Sequence, residues 1–120
     1  MNRQEDYPIV TMQNGNEFHV CCAGIIDWRE TDYPPPPEEQ ISAAIGWLRE
    51  RNREIQTPSV FSYRAKHAAE RFWKAYMSNG AIIVAADRLR IPQRQVRRGS
   101  LNTYIAISNR VYRKLWEANL

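Results

Sequence analysis

The sequence has little cysteine and no long hydrophobic run. Its two cysteines, Cys21 and Cys22, are adjacent. Neighbouring side chains in a strand point to opposite faces, so a disulfide between them would strain the backbone, and we expect two reduced thiols. No stretch approaches the roughly 20 apolar residues that cross a bilayer, and residues 1–6 are too polar for a signal peptide. These absences predict a cytoplasmic protein that does not contact a membrane.

Sequence motifs for catalysis and for metal binding are also missing. His19 and Cys22 have the spacing of a ligand pair, but His67 is the only other histidine, and structural zinc sites need four ligands. A nucleophilic pair of Cys21 or Cys22 with His67, oriented by Asp87, has no local signature. The chain also lacks a glycine-rich phosphate loop. We therefore predict that the protein is not an enzyme and has no catalytic residues, no metal ligands and no cofactor.

Negative charge is scarce in the second half of the chain. Residues 1–57 contain five Arg and ten Asp or Glu, a net charge of −5, whereas residues 58–120 contain twelve Lys or Arg and three Asp or Glu, a net charge of +9. Most of these cations are Arg, which binds phosphate and carboxylate groups bidentately and stacks on bases. With 120 residues and 43% hydrophobic composition, we expect a single domain, residues 1–120. Its halves are acidic (1–57) and basic (58–120).

Two short β-type runs at the N-terminus predict a hairpin. Residues 8–12 and 17–22 flank Gln13-Asn14-Gly15-Asn16, and Asn-Gly is a strong hairpin signal because both residues tolerate φ > 0. We expect residues 23–26 to continue or bend the second strand. The four prolines 34–37 are typical of a stiff connector, with a ligand for a proline-recognition groove as the alternative. A helix is predicted from Glu38, ending in the charged residues 49–54.

A second helix is predicted from Ser62, as its N-cap, to about Met77. It has an apolar face and, nearly opposite, a basic face. The apolar face holds Ala65, Ala69, Phe72 and Tyr76, and the basic face holds Arg64, His67, Arg71 and Lys74. After Asn79-Gly80, residues 81–86 are apolar on every side. They predict a buried central helix that ends near Arg90.

Residues 93–107 fit two structures. In one, residues 85–98 form a helix-turn-helix whose second helix presents Gln and Arg side chains to the major groove, with Arg90 in a turn that usually has a small residue. In the other, residues 93–97 pair with residues 102–107 as a hairpin. We favour the hairpin, because alternation with period two covers more of the segment. A last helix is expected over residues 109–118.

The predicted fold is therefore α+β, with an N-terminal β-hairpin, three to four helices including the buried central one, and a basic C-terminal hairpin. The helix-turn-helix is the alternative for this last part. Basic residues cluster three times in the second half, with few acidic residues between them. The candidate nucleic-acid or partner-binding residues are Arg64, His67, Arg71, Lys74, Arg90, Arg94, Arg97, Arg98, Arg110 and Arg113.

Three motifs carry a resemblance to known sequences. They are Ser62-Tyr63-x-x-Lys66-His67, then Tyr76-x-x-Asn79-Gly80-Ala81-x-Ile83-x-Ala85-Ala86, then Gly99-Ser100-x-Asn102-x-Tyr104. Over residues 60–108 the chain resembles a group of short, uncharacterised proteins of phages and prophages. The resemblance implies a bacteriophage-type accessory protein acting in the cytoplasm of a bacterial host, and it supports Asn79-Gly80 as a fixed helix start. It implies no particular activity.

Two functions are compatible with this pattern. The first is binding of DNA or RNA through the basic half, because clustered Lys and Arg are the electrostatic footprint of a nucleic-acid surface. The second is a protein–protein inhibitor or adaptor, for example one that acts against host defence in the manner of an anti-CRISPR protein. In that case the same Arg clusters would dock on an acidic surface of a bacterial host protein complex.

Overall fold

The computed structural model describes residues 6–27, 31–50, 55–110 and 112–113. These ranges form two small antiparallel sheets and three helices, so the fold is mixed α+β, as the sequence predicts. In chain order the elements are β1 (Ile9–Thr11), β2 (Glu17–Cys21), β3 (Gly24–Ile26), α1 (Glu38–Leu48), β4 (Val60–Phe61), α2 (Ser62–Trp73), α3 (Asn79–Arg88), β5 (Gln93–Gln95) and β6 (Thr103–Ile105). Within the described ranges, no helix is long and apolar enough to span a membrane.

The first sheet contains the predicted N-terminal hairpin and one strand more. Strands β1 and β2 pair antiparallel around the Asn-Gly turn, where Gly15 has φ +93°. Residues 23–26 do not continue β2, because the chain reverses and β3 pairs antiparallel with β2. The reversal uses Gly24 at φ +140°, where a side chain would also overlap the carbonyl oxygen of Leu101. The sheet order is β1-β2-β3.

Helix α3 is the central helix that the sequence predicts. All eight residues from Asn79 to Ala86 are buried, and the helix packs against α1, α2 and strands of both sheets. Ser78 is its N-cap, with Oγ accepting a hydrogen bond from the backbone N–H of Ala81 at 3.2 Å. One buried apolar cluster runs from Val10 to Tyr112 and includes residues of both halves. The acidic and basic halves therefore share a core.

The Asn79-Gly80 pair joins the start of α3 to both sheets. The Gly80 N–H donates to the carbonyl of Cys22 at 2.9 Å, and a Cβ atom on Gly80 would overlap the carbonyl oxygen of Cys21. Asn79 Nδ2 donates to the carbonyl of Ala23 at 3.0 Å and to Asn102 Oδ1 at 2.9 Å. The helix can approach the strands this closely only because position 80 has no side chain.

The second sheet has the order β4-β6-β5, and both of its strand pairs are antiparallel. Residues 93–95 are extended rather than helical, and each of β5 and β6 has three residues, fewer than the 93–97 and 102–107 of the predicted hairpin. The turn before β5 places Arg90 at φ +58°. The N–H groups of Arg90 and Ile91 donate to the carbonyls of Asp87 and Ala86, which closes the end of α3.

Two helices end earlier than predicted. Helix α1 ends at Leu48 rather than within residues 49–54, of which 51–54 lie outside the described residues. Helix α2 ends at Trp73, because Lys74 takes the left-handed conformation at φ 53°. Tyr76, expected on the apolar face, is consequently 70% exposed. Residues 109–110 and 112–113 are helical, and the rest of the predicted last helix lies outside the described residues.

Candidate nucleic-acid interface

Six of the ten predicted binding residues lie in two groups. The first group lines an opening between α2 and the last helical residues, and we call this opening the cleft. Its lining residues are Arg64, His67, Asn109, Tyr112 and Arg113. The second is β5 with the loop that leads to β6, which carries Arg94, Arg97 and Arg98 and which we call the ribbon. Each group places an Arg side chain against an aromatic ring, which is Tyr112 in the cleft and Tyr104 of the neighbouring strand β6 at the ribbon.

The cleft has a volume of about 480 Å³ and is built around Tyr112. Arg64 lies one helical turn before His67 on α2, and its guanidinium carbon is 5.3 Å from the centre of the Tyr112 ring. The Tyr112 hydroxyl donates to the carbonyl of Arg64 at 3.0 Å. Burial raises the pKa of this hydroxyl, and the charges of Arg64 and Arg71 oppose the rise. Of the predicted residues, Arg64 therefore lies against the buried Tyr112 ring, Arg113 lines the same cleft, and Arg71 acts on the hydroxyl only through its charge.

His67 lies at the edge of the cleft beside a carboxylate. Its Nδ1 is 2.9 Å from Glu70 Oε1, and its ring meets the Tyr63 ring edge-on at 4.7 Å between centroids. Burial acts to raise the pKa of Glu70, but the hydrogen bond from the backbone N–H of Met77, the charge of Lys66 and the side-chain hydrogen bonds with His67 and Lys66 outweigh it, so the pKa is lowered. Glu70 stays ionised and offsets part of the positive charge at this end of the cleft.

The ribbon presents Arg94 on the outer side of the second sheet. Gln93 and Thr103 are buried on the inner side, where Gln93 Nε2 donates to the carbonyl of Ile83 at 2.9 Å. Arg94 is exposed, and its guanidinium carbon lies 4.7 Å from the centre of the Tyr104 ring. Arg97 is exposed in the loop that follows β5. Only a strand gives this arrangement, because successive side chains of β5 point to opposite faces of the sheet. Gln93 therefore points inward and Arg94 outward.

Asp27 of the acidic half holds the loop of the ribbon in place. Its Oδ2 accepts hydrogen bonds from Gln95 Nε2 at 2.9 Å and from the backbone N–H of Gly99 at 2.7 Å. These two bonds, and to a lesser degree the charge of Arg98, lower the pKa of the Asp27 carboxyl. The loop that carries Arg97 and Arg98 is thus anchored by a carboxylate 72 residues away in sequence from Gly99.

Other cations of the basic half are paired with carboxylates of the same chain. Arg88 makes a bidentate pair with Glu38, with N–O distances of 2.9 and 2.8 Å, and this hydrogen bonding lowers the pKa of the Glu38 carboxyl. Lys66 is buried, and its Nζ donates to Glu70 Oε2 at 3.3 Å and to the carbonyl of Met77 at 3.0 Å. In contrast, Arg94, Arg97 and Arg98 make no salt bridge with any residue that the structure describes.

Four predicted residues lie outside both groups. One of them is Arg71, which does not line the cleft although its charge acts on Tyr112. Lys74 leaves the basic face of α2, because its left-handed conformation ends the helix. Arg90 lies beside a separate cleft formed with Ile55, Pro92 and neighbouring residues. Arg110 is exposed on the last helical residues but does not line the cleft. The sequence treats all ten candidate residues alike, whereas the structure places these ones away from the cleft and the ribbon.

Sequence reasoning missed four residues that shape these groups: Phe61, Asn109, Tyr112 and Asp27. Phe61 lies beside Tyr104 across the β4–β6 pair, with ring centroids 6.1 Å apart. The strand β4 that carries Phe61 has only two residues, too few for an alternating pattern to be recognised in the sequence. Asn109 precedes Tyr112 by three residues, a spacing that places two helical residues side by side and that can be recognised in the sequence. Asp27 has no local signal, because its partners are brought to it only by the fold.

Within the described ranges, no group of three or more His, Cys, Asp or Glu side chains is arranged to hold a metal ion. Both groups are suited to contact with anions and with planar rings, since one Arg guanidinium lies against Tyr112 and another against Tyr104. A comparison with protein-family models, with curated proteins and with solved structures finds no match.

Proposed function

We propose that the chain is a small phage-type accessory protein that binds nucleic acid through the cations of its basic half. The observation that supports this is the division of those cations. Arg88 and Lys66 are held by carboxylates of the fold, whereas Arg94, Arg97 and Arg98 are exposed and meet no carboxylate at salt-bridge distance among the described residues. Exposed Arg side chains without an internal partner can neutralise phosphates and release counterions.

The test is fluorescence anisotropy with labelled DNA and RNA at increasing salt. We expect binding at low salt whose affinity falls linearly on a logarithmic scale, with a slope of about 0.9 per phosphate contact on a duplex. The triple variant Arg94→Gln/Arg97→Gln/Arg98→Gln should bind more weakly. Its slope should be smaller by about 0.9 for each phosphate contact that is lost, for up to three contacts. The single variants Arg97→Gln and Arg49→Gln form a matched pair, because each removes one exposed cation and Arg49 belongs to the acidic half. Only Arg97→Gln should lower the slope.

An unchanged slope in the triple variant would remove the ribbon from the interface. Absence of binding by the wild-type protein at low salt would contradict nucleic-acid binding as a whole. Circular dichroism of each variant establishes that the fold is intact before affinities are compared.

A second candidate function is docking on an acidic surface of a bacterial host protein complex. Exposed aromatic side chains favour it: Tyr63, Trp73 and Tyr76 are 48%, 46% and 70% exposed. Tyr, Trp and Arg are the residues most enriched at the centres of protein interfaces. A pull-down from bacterial lysate that survives nuclease treatment, and that is lost in Tyr63→Ser/Tyr76→Ser, supports docking over nucleic-acid binding.

A further inference from the structure

The outer face of the second sheet carries a row of planar groups. The strand pairing places Tyr104 of the central strand β6 opposite Phe61 of β4 on one side and opposite Arg94 of β5 on the other. Phe61 and Tyr104 have ring centroids 6.1 Å apart with a 47° angle between the planes, and the Arg94 guanidinium lies over the Tyr104 ring. We call these three residues the aromatic row.

Alternation along the strands explains why the row faces outward. Val60, Thr103 and Ile105 are buried on the side of the sheet that faces α3, whereas Phe61 and Tyr104 are half-buried and Arg94 is exposed. Aromatic rings that only filled the core would be expected on the inner side. Here two rings lie on the outer side of a small sheet, next to a loop that carries Arg97 and Arg98.

Arg94 occupies the ring face that a base would take. Among the described residues its side chain makes no hydrogen bond or salt bridge, so its contact with Tyr104 is an exposed cation–π interaction. Such an exposed contact contributes less to binding than a base stacked on an aromatic side chain does. A base can therefore displace the guanidinium with a net gain, and the displaced Arg94 remains close enough to bind a phosphate.

We propose that the aromatic row is a stacking platform for the bases of a single strand, so that the protein prefers single-stranded to double-stranded nucleic acid. The proposal rests on the proposed function and specifies its substrate. Bases in a duplex are stacked on one another and do not present their faces, whereas unpaired bases do. In this arrangement successive bases stack on Tyr104 and Phe61, and Arg97 and Arg98 bind the neighbouring phosphates.

The experiment compares three labelled probes of equal length, about 12 nucleotides. They are oligothymidylate, a duplex, and an oligomer of abasic sites that has the phosphates but no bases. We expect the wild-type protein to bind oligothymidylate most tightly. Tyr104→Leu, which keeps an apolar side chain on β6, should lower affinity for oligothymidylate about tenfold. The same variant should leave affinity for the duplex and for the abasic oligomer unchanged.

Three further variants make the result specific. Tyr104→Phe keeps the ring and should retain the preference for oligothymidylate. Phe61→Leu tests the same row at a second position, and is used should Tyr104→Leu fail to fold. Tyr33→Leu makes the same chemical change at an exposed tyrosine of the acidic half and should bind as the wild type does.

The outcomes separate the platform from the function on which it rests. Equal affinity for all three probes, with no effect of Tyr104→Leu, overturns the platform and leaves electrostatic binding in place. A parallel loss of affinity for the abasic oligomer in Tyr104→Leu also overturns it, because that probe has no base to stack. Absence of binding to every probe at low salt overturns both proposals.

Discussion

At the scale of single residues, neighbouring cations of α2 have different roles. Arg64 is exposed at the cleft, whereas Lys66, two residues later, is buried with its Nζ bonded to Glu70 and to the carbonyl of Met77. The sequence identifies both as positive charges on one helix. It does not indicate which is buried, because Met77 reaches Lys66 only after the chain reverses at Lys74. Local charge and the i,i+4 partner Glu70 are thus predictable from sequence, but the contact with Met77 that buries Lys66 is not.

Glu70 makes stability depend on pH at this end of α2. Its carboxylate accepts hydrogen bonds from Lys66 and from the Met77 N–H, and its pKa is lowered in the folded protein. A lowered pKa contributes stability that is present above the usual pKa of glutamate and lost as the pH falls through the folded-state value. We expect Glu70→Gln to lower the free energy of unfolding by about 1–3 kcal/mol at pH 7. Below pH 4 this difference from the wild type should narrow.

Chemical denaturation of both proteins between pH 7 and pH 3 measures this difference. Glu39→Gln is the control, since Glu39 is exposed on α1 and makes no hydrogen bond or ion pair with the described residues. The control should follow the wild type throughout. A constant difference between Glu70→Gln and the wild type at all pH values would contradict a role for the ionised carboxylate.

At the scale of elements, the sequence predicts what depends on local pattern. The Asn-Gly turn with flanking β-type runs predicts β1 and β2, and the apolar run after Asn79-Gly80 predicts α3; both are present. The strand β3 and the early end of α2 are not predicted. β3 follows a two-residue reversal that ends at Gly24, and α2 ends on a left-handed Lys74, a conformation that Gly usually supplies. In both cases tertiary contacts override local preference.

Gly80 controls the packing of α3 on the first sheet. A methyl group at this position would overlap the carbonyl oxygen of Cys21, which is backbone and cannot turn away. We expect Gly80→Ala to lower the free energy of unfolding by about 3 kcal/mol or more, because the helix start must move away from β2. Thermal unfolding followed by circular dichroism measures the loss.

Gly99→Ala distinguishes this close approach from backbone strain. Gly99 has φ +83° but no atom within 4 Å of a Cβ placed on it. Alanine there should cost only the strain of a left-handed residue, about 1–2 kcal/mol. Losses of the same size in both variants would mean that Gly80 is not constrained by the strand beneath it.

At the scale of the whole molecule, the acidic and basic halves are interlocked. Glu38 pairs with Arg88 across 50 residues of sequence, and the Asp87 side chain accepts a hydrogen bond from the backbone N–H of Thr11. The charge difference between the halves is visible in the sequence, but these pairs are not, because they join elements far apart in the chain. What remains exposed after pairing, above all Arg94 and Arg97, could be identified only from the fold.

Asp27 has two opposite effects on the binding of nucleic acid, and the substitution Asp27→Asn separates them. Its carboxylate anchors the ribbon loop through Gln95 and Gly99, and its negative charge lies beside Arg98. In Asp27→Asn the amide oxygen can still accept from the loop, while the charge is removed. We expect affinity for an oligonucleotide to rise about twofold at low salt, as for one unit charge several ångströms from a phosphate in water.

The gain in Asp27→Asn should disappear at high salt, because the interaction is solvent-exposed and screened. Glu39→Gln again serves as the control: it makes the same change in net charge, but on α1, which packs against α2 and α3. Its affinity should change less than that of Asp27→Asn. Equal gains in both variants would show that net charge alone governs binding. A loss of affinity in Asp27→Asn would mean that the anchored shape of the loop matters more than the charge beside it.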